Sequence, residues 1–227
     1  MTDVALQAIQ SGDIATLERL LGQHPELASS RPDGNRTLLH VATDWPGHFP
    51  NITAIIALLI ARGADVNATF HGRHSETPLH WAASSDDVSA LDALLDHGAN
   101  IEASGGVIAG GTPLGDAVAF GKWNAARRLV ERGATTNLWQ AAALGLADRV
   151  EECFVNDSPP PVEVTKAFWL ACHGSQQEMT DYLLVRGADL NWVGYDHLTP
   201  LDAANRSGAH DLVSWLRSRG GKSTKEL

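Results

Sequence analysis

The chain has 227 residues, 44% of them hydrophobic and 19% charged, which is ordinary for a globular protein. Twenty-seven acidic side chains against seventeen basic ones give a net charge of −10, which argues against a phosphate-backbone binder, since that needs a basic face. Two cysteines, Cys153 and Cys172, cannot build a disulfide framework and lie in apolar helical patterns as core thiols.

In chain order, the opening MTDVALQAIQSGD has no basic segment followed by a long apolar core, so no signal peptide is expected. Residues 3–29 form a first helical unit. The second, 37–67, starts with TLLHVAT at Thr37 and closes with RGADVN from Arg62. Its apolar run Ile52–Ala61 is too short to span a membrane. The third, 77–102, opens TPLHWAA. Thr77 is placed to cap a helix and Pro78 suits the first helical position, where no N–H is needed. Leu79, Ala82 and Ala83 give a short helix, Val88, Leu91, Leu94 and Leu95 a second one. Gly98 stops it, because glycine takes a left-handed C-terminal conformation at little cost. The fourth unit, 112–137, opens TPLGDAV and closes RGATTN.

The fifth and sixth units, 136–161 and 165–191, lack the TPLH phrase, and Trp139 and Trp169 stand where its histidine is expected. The seventh, 199–220, opens TPLDAAN, and 221–227 is expected to be a disordered tail. From threonine to closing glycine is 21 residues in three of these units: Thr77 to Gly98, Thr112 to Gly133 and Thr199 to Gly220. Such a unit cannot bury its apolar face alone, but a stack can.

TPLHWAA with HGAN, and TPLDAAN with RGG, resemble ankyrin repeats over nearly the whole chain. The resemblance implies an all-α repeat solenoid, one domain over 1–220, made of antiparallel helix pairs with projecting hairpin loops. It also implies a concave groove between the first helices and those loops, and a structural role for His40 and His80 in tying units together.

Departures from the repeat are the places to look for function. Thr37 to Gly63 is 26 residues, so an extra loop at 44–51 (DWPGHFPN) carries Trp45, His48 and Phe49. Gly133 to Thr136 is only 3 residues, so a hairpin is missing there. The hairpin 68–76 carries Phe70, His71, His74 and Glu76. The hairpin 103–111 reads as flexible, with Ile108 near its tip. The hairpin 191–198 carries Trp192, Tyr195, Asp196 and His197. With Trp81, Ser84, Ser85 and Phe120, these residues are expected to line a groove rich in aromatic and histidine side chains.

The chemistry such a groove offers is acid–base. His74 with Glu76, Asp44 with His48, Asp116, and Asp196 with His197 are the candidate groups. No nucleophile motif or phosphate loop is present. His71, His74 and Glu76 fall short of a metal site, and no cofactor is expected. The primary expectation is a stand-alone, monomeric, cytoplasmic binding module for a protein or peptide, a basic one by charge, with no nucleic-acid or membrane partner. The alternative is a small cofactor-free enzyme or binder acting on an apolar molecule, catalysing dehydration, conjugate addition, cyclisation or isomerisation by proximity.

Overall fold

The computed structural model describes residues 1–155 and 158–227; the end of the expected fifth unit therefore lies partly outside the described residues. Among them are fourteen α-helices and no strand. The chain divides into two compact units, Met1–Ala134 and Thr135–Leu227.

The first unit is four stacked helix pairs: α1 (Thr2–Ser11) with α2 (Ile14–Gln23), α3 (Leu38–Thr43) with α4 (Ile52–Ala61), α5 (Pro78–Ser84) with α6 (Val88–Asp96), and α7 (Pro113–Ala119) with α8 (Trp123–Glu131). The first helices stack on one another and so do the second ones. Apolar side chains repeat at helical spacing, and one face of each helix is buried. In α4 the buried set is Ile52, Ile55, Ile56 and Leu59. The Thr37 and Thr112 hydroxyls cap α3 and α7 by accepting from His40 N and Gly115 N, and Thr77 holds the same place before α5, its hydroxyl against the His80 ring.

The histidines of the repeat phrase are part of these caps. Thr37 N donates to His40 Nδ1, and the Nε2 side of His40 lies 3.1 Å from the carbonyl of Glu76 in the next pair. His80 repeats this with Thr77 and the Gly111 carbonyl, also at 3.1 Å. An Nδ1 that accepts leaves the proton on Nε2 to donate to the carbonyl, so both rings are neutral bridges. Burial fits this, pushing the His40 ring down to about 4 and lowering His80 as well.

The second phrase has its own bridge. Asn67 donates to the Gly98 carbonyl and accepts from Asn100 N. The glycines beside it turn the chain: Gly63 and Gly98 have φ of 96° and 87°, where a side chain would be strained.

The second unit is built alike from α9 (Leu138–Leu144) with α10 (Ala147–Val155), α11 (Pro161–His173) with α12 (Gln177–Val185), and α13 (Pro200–Arg206) with α14 (His210–Ser218). Its core includes Phe168, Trp169, Met179, Leu183 and Leu216. Trp169 does replace the histidine, since its indole N–H donates to the Leu198 carbonyl at 2.9 Å. Trp139 does not take over the cap: Gln140, three residues after Asn137, makes the reciprocal capping bonds.

The sequence pointed to a disordered tail at 221–227, but a 3-10 turn, Thr224–Glu226, is present. Lys222 N donates to Asn191, Thr224 donates through N and Oγ1 to Asp202, and Arg217 pairs with Glu226. The side chains of Asn191 and Asp202 supply the acceptors that hold it.

Candidate functional site

In the first unit, the expected site residues fall at the two ends of the first helices. At the C-terminal end lies the extra loop between α3 and α4. Trp45 N donates to its neighbour Asp44, and Gly47 N to the Asp44 carbonyl. Asp44 pairs with Arg36 at 2.6 Å. His48 N donates to Asp87 at 2.6 Å, and its ring lies 3.9 Å from the same carboxylate. The expected Asp44–His48 pair is therefore corrected, because each has a closer partner of opposite charge or donor type. Gly47 packs so tightly that an added Cβ would lie 3.0 Å from Ser85 Cβ. This fixed loop leaves Trp45 78% exposed, with Phe49 half-buried. Phe120, the residue after α7, is exposed as well. Ser85 is buried and donates toward the Thr43 carbonyl, so it is a packing residue rather than a groove-lining one; Ser84 is half-buried.

At the N-terminal end, the hairpin 68–76 closes through Phe70 N to the Glu76 carbonyl, 2.7 Å, and His71 N to Asn35. His71 itself is exposed and His74 half-buried. The Phe70 ring lies 5.5 Å from that of Trp81, and the His40 ring meets Trp81 edge-on at 5.0 Å. Trp81 therefore packs among rings and stays half-buried, as its position on α5 suggests.

The hairpin 103–111 is closed on itself rather than open. Gly105 N and Gly106 N donate to the carbonyls of Gly110 and Gly111. The Asp116 carboxylate accepts from Ile108 N at 3.0 Å and Val107 N at 3.3 Å. A Cβ on Gly106 would come 2.6 Å from that carboxylate, so the glycines serve close approach, and Ile108 is held half-buried.

Glu76 and Asp116 are both buried. Burial raises the Glu76 carboxyl, and the negative charge of Asp116 adds to it; His74 and the Trp81 side chain pull it back. Burial likewise raises Asp116, against the Ile108 and Val107 amides and His80 and His74. The expected neighbours His74 and Glu76 thus do share an electrostatic environment, and Asp116 joins them from the next pair. The sequence offered Asp116 as one of the acid–base candidates; its bond to the hairpin was not readable.

The remaining site residues belong to the second unit. Tyr195 meets Trp169 at 5.2 Å and Trp192 at 5.8 Å, both edge-on. Asp196 pairs with Arg206 and not with His197, which is exposed; the guanidinium offers a full charge that the adjacent ring does not. Two clefts open in this unit, one of 800 Å³ at Met179, Tyr182, Trp215 and Arg219, the other of 550 Å³ at Phe154, Pro160 and Arg186. Neither contains an expected site residue. Among the described residues no group of three or more His, Cys, Asp or Glu side chains could hold a metal ion, and no helix is long and apolar enough to cross a membrane.

Helix pairs capped by Thr-Pro and tied by histidine and asparagine bridges make an ankyrin-type repeat stack. The family model for ankyrin repeats (3 copies) matches residues 52–139. The ankyrin repeat domain of human ASB11 is similar in fold, with a TM-score of 0.56 at 20% identity, covering 93% of this chain and 96% of that one. An ankyrin repeat and KH domain-containing protein of Caenorhabditis briggsae is 28% identical over 77% of this chain, and palmitoyltransferase AKR1 of Lachancea kluyveri 35% identical over 41%. The aligned parts span only 7% and 12% of those two relatives. Ankyrin repeats indicate a protein–protein interaction module.

Proposed function

We propose that the first unit binds a protein or peptide partner, with Trp45 and Phe120 as exposed anchors and Phe70, Trp81 and Ile108 as further apolar contacts. One observation carries this reading: Trp45 is 78% exposed on a loop tied down through Asp44, Gly47 and His48. Aromatic anchors dominate binding energy when they bury on a partner. An anchor already held in place loses little conformational freedom on binding. The partner is basic, in keeping with the charge of −10. Unpaired Cys153 and buried Cys172 suit a reducing compartment such as the cytoplasm.

The test is native mass spectrometry of the protein purified from its own host, followed by titration of the isolated partner. Trp45→Ala and Phe120→Ala should each weaken binding by about 2 kcal/mol, roughly 30-fold, with unchanged circular dichroism. A partner that binds all forms equally would remove this face from the reading.

A second reading, turnover of an apolar small molecule, is favoured by the raised carboxyls of Glu76 and Asp116 beside His74. A co-purifying molecule of small mass, converted by the wild type but not by Glu76→Gln, would support it over protein binding.

A further inference from the structure

We infer that Glu76 receives an arginine side chain of the bound partner, with the guanidinium against the rings of Trp81 and Phe70. This rests on the first unit being the binding face and adds the partner's chemistry.

The two fully buried carboxylates of this unit each take two backbone N–H groups of the chain. Asp87 accepts from His48 N and Ala90 N, and Asp116 from Val107 N and Ile108 N. Glu76 is only 9% exposed, yet among the described residues no backbone N–H and no basic side chain bonds to it. The Trp81 side chain lies close enough to act on it, and the Glu76 carboxylate keeps its acceptor capacity. Its carboxylate takes no donor from the described residues, and a second negative group, Asp116, lies close enough to act on it. Besides the imidazole of His74, what the place lacks is a permanent cation.

The second unit shows which cation fits such a set. Arg206 lies over Trp169 at 5.7 Å and pairs with Asp196. Arg219 lies over Trp215 at 4.7 Å and reaches Asp181 at 3.5 Å. Twice, then, the chain assembles tryptophan, carboxylate and its own arginine. At Trp81 and Glu76 the tryptophan and carboxylate are present, with Phe70 5.5 Å from the indole, and among the described residues no arginine sits on them. Guanidinium is the matching group: it is planar, weakly hydrated, stacks on aromatic faces and forks onto carboxylates. Trp81, Phe70 and His74 are all half-buried, so part of each ring is reachable from solvent.

The test uses two short peptides, acetyl-Gly-Arg-Gly-amide and the same peptide with neutral citrulline, titrated while the Trp81 indole N–H is followed by NMR. The arginine peptide should move that resonance saturably, and citrulline should bind at least about tenfold more weakly, as for a lost charged hydrogen bond. Glu76→Gln should lose the discrimination. Its fold is protected because the bonds from His40 Nε2 and Phe70 N go to the Glu76 backbone carbonyl. Equal responses to both peptides, or arginine binding unchanged in Glu76→Gln, would overturn the inference; the first comparison needs no variant. A partner lost in Trp45→Ala with no arginine preference would sink this inference alone, whereas arginine preference with partner binding indifferent to Trp45 would sink the anchor reading.

Discussion

Asp116 shows how one side chain sets the shape of a loop that composition alone makes look loose. Its carboxylate takes the amides of Val107 and Ile108, and Gly106 lets it come that close. Asp116→Ala should leave both amides without acceptors, at a cost of about 1–3 kcal/mol, and hydrogen exchange at Val107 and Ile108 should speed up more than elsewhere in the unit. Unchanged protection at these amides would mean that the glycine ladder suffices. Glu76 makes a prediction about pH. Its carboxyl is raised in the fold above an ordinary value of 4.5, so the folded state holds the proton more tightly than the unfolded one. Its contribution is therefore full below 4.5, is lost as pH rises through the raised folded value, and is constant above it. The melting temperature of Glu76→Gln relative to wild type should rise with pH across that window. A difference that falls instead would show Glu76 acting as a stabilising ion-pair member.

At the scale of the element, the short first helices depend on their caps and on one bond to the next pair. Helices of six or seven residues are too short to persist alone. His40 and His80 therefore do two jobs, closing the threonine cap and holding the neighbouring pair. Trp169 does the second job with a different group, an indole N–H on the Leu198 carbonyl. Trp169→Phe keeps the apolar bulk and removes the donor, so it should destabilise the second unit by about 1 kcal/mol, read as a lower urea midpoint with an unchanged slope. No change would mean that ring packing alone secures α11. The histidine bridges were expected from the family resemblance that the repeated TPLH carries. The tryptophan bridge was half legible, since Trp169 could be placed but Trp139, at equal standing in the sequence, proved to leave the cap to Gln140.

For the molecule as a whole, charge is the property that acts at a distance. At −10, association with a basic partner should be steered electrostatically. Raising ionic strength from about 0.01 to about 0.15 M shortens the screening length from about 30 to about 8 Å, and the association rate should fall several-fold while dissociation changes little. A rate indifferent to salt would remove charge from the recognition. The repeats, their caps and their glycine stops were determined by the sequence itself. They depend on local rules of spacing, capping and backbone conformation, which a chain carries residue by residue. The tertiary structure decided the partners. His48 found Asp87 in place of Asp44, Asp196 found Arg206 in place of His197, Asp116 found hairpin amides eight and nine residues before it, and Glu76 and Trp81 met no arginine among the described residues. Such pairings join residues from different elements or loops, and packing distance and competition for donors settle them, neither of which is written in the spacing of a sequence.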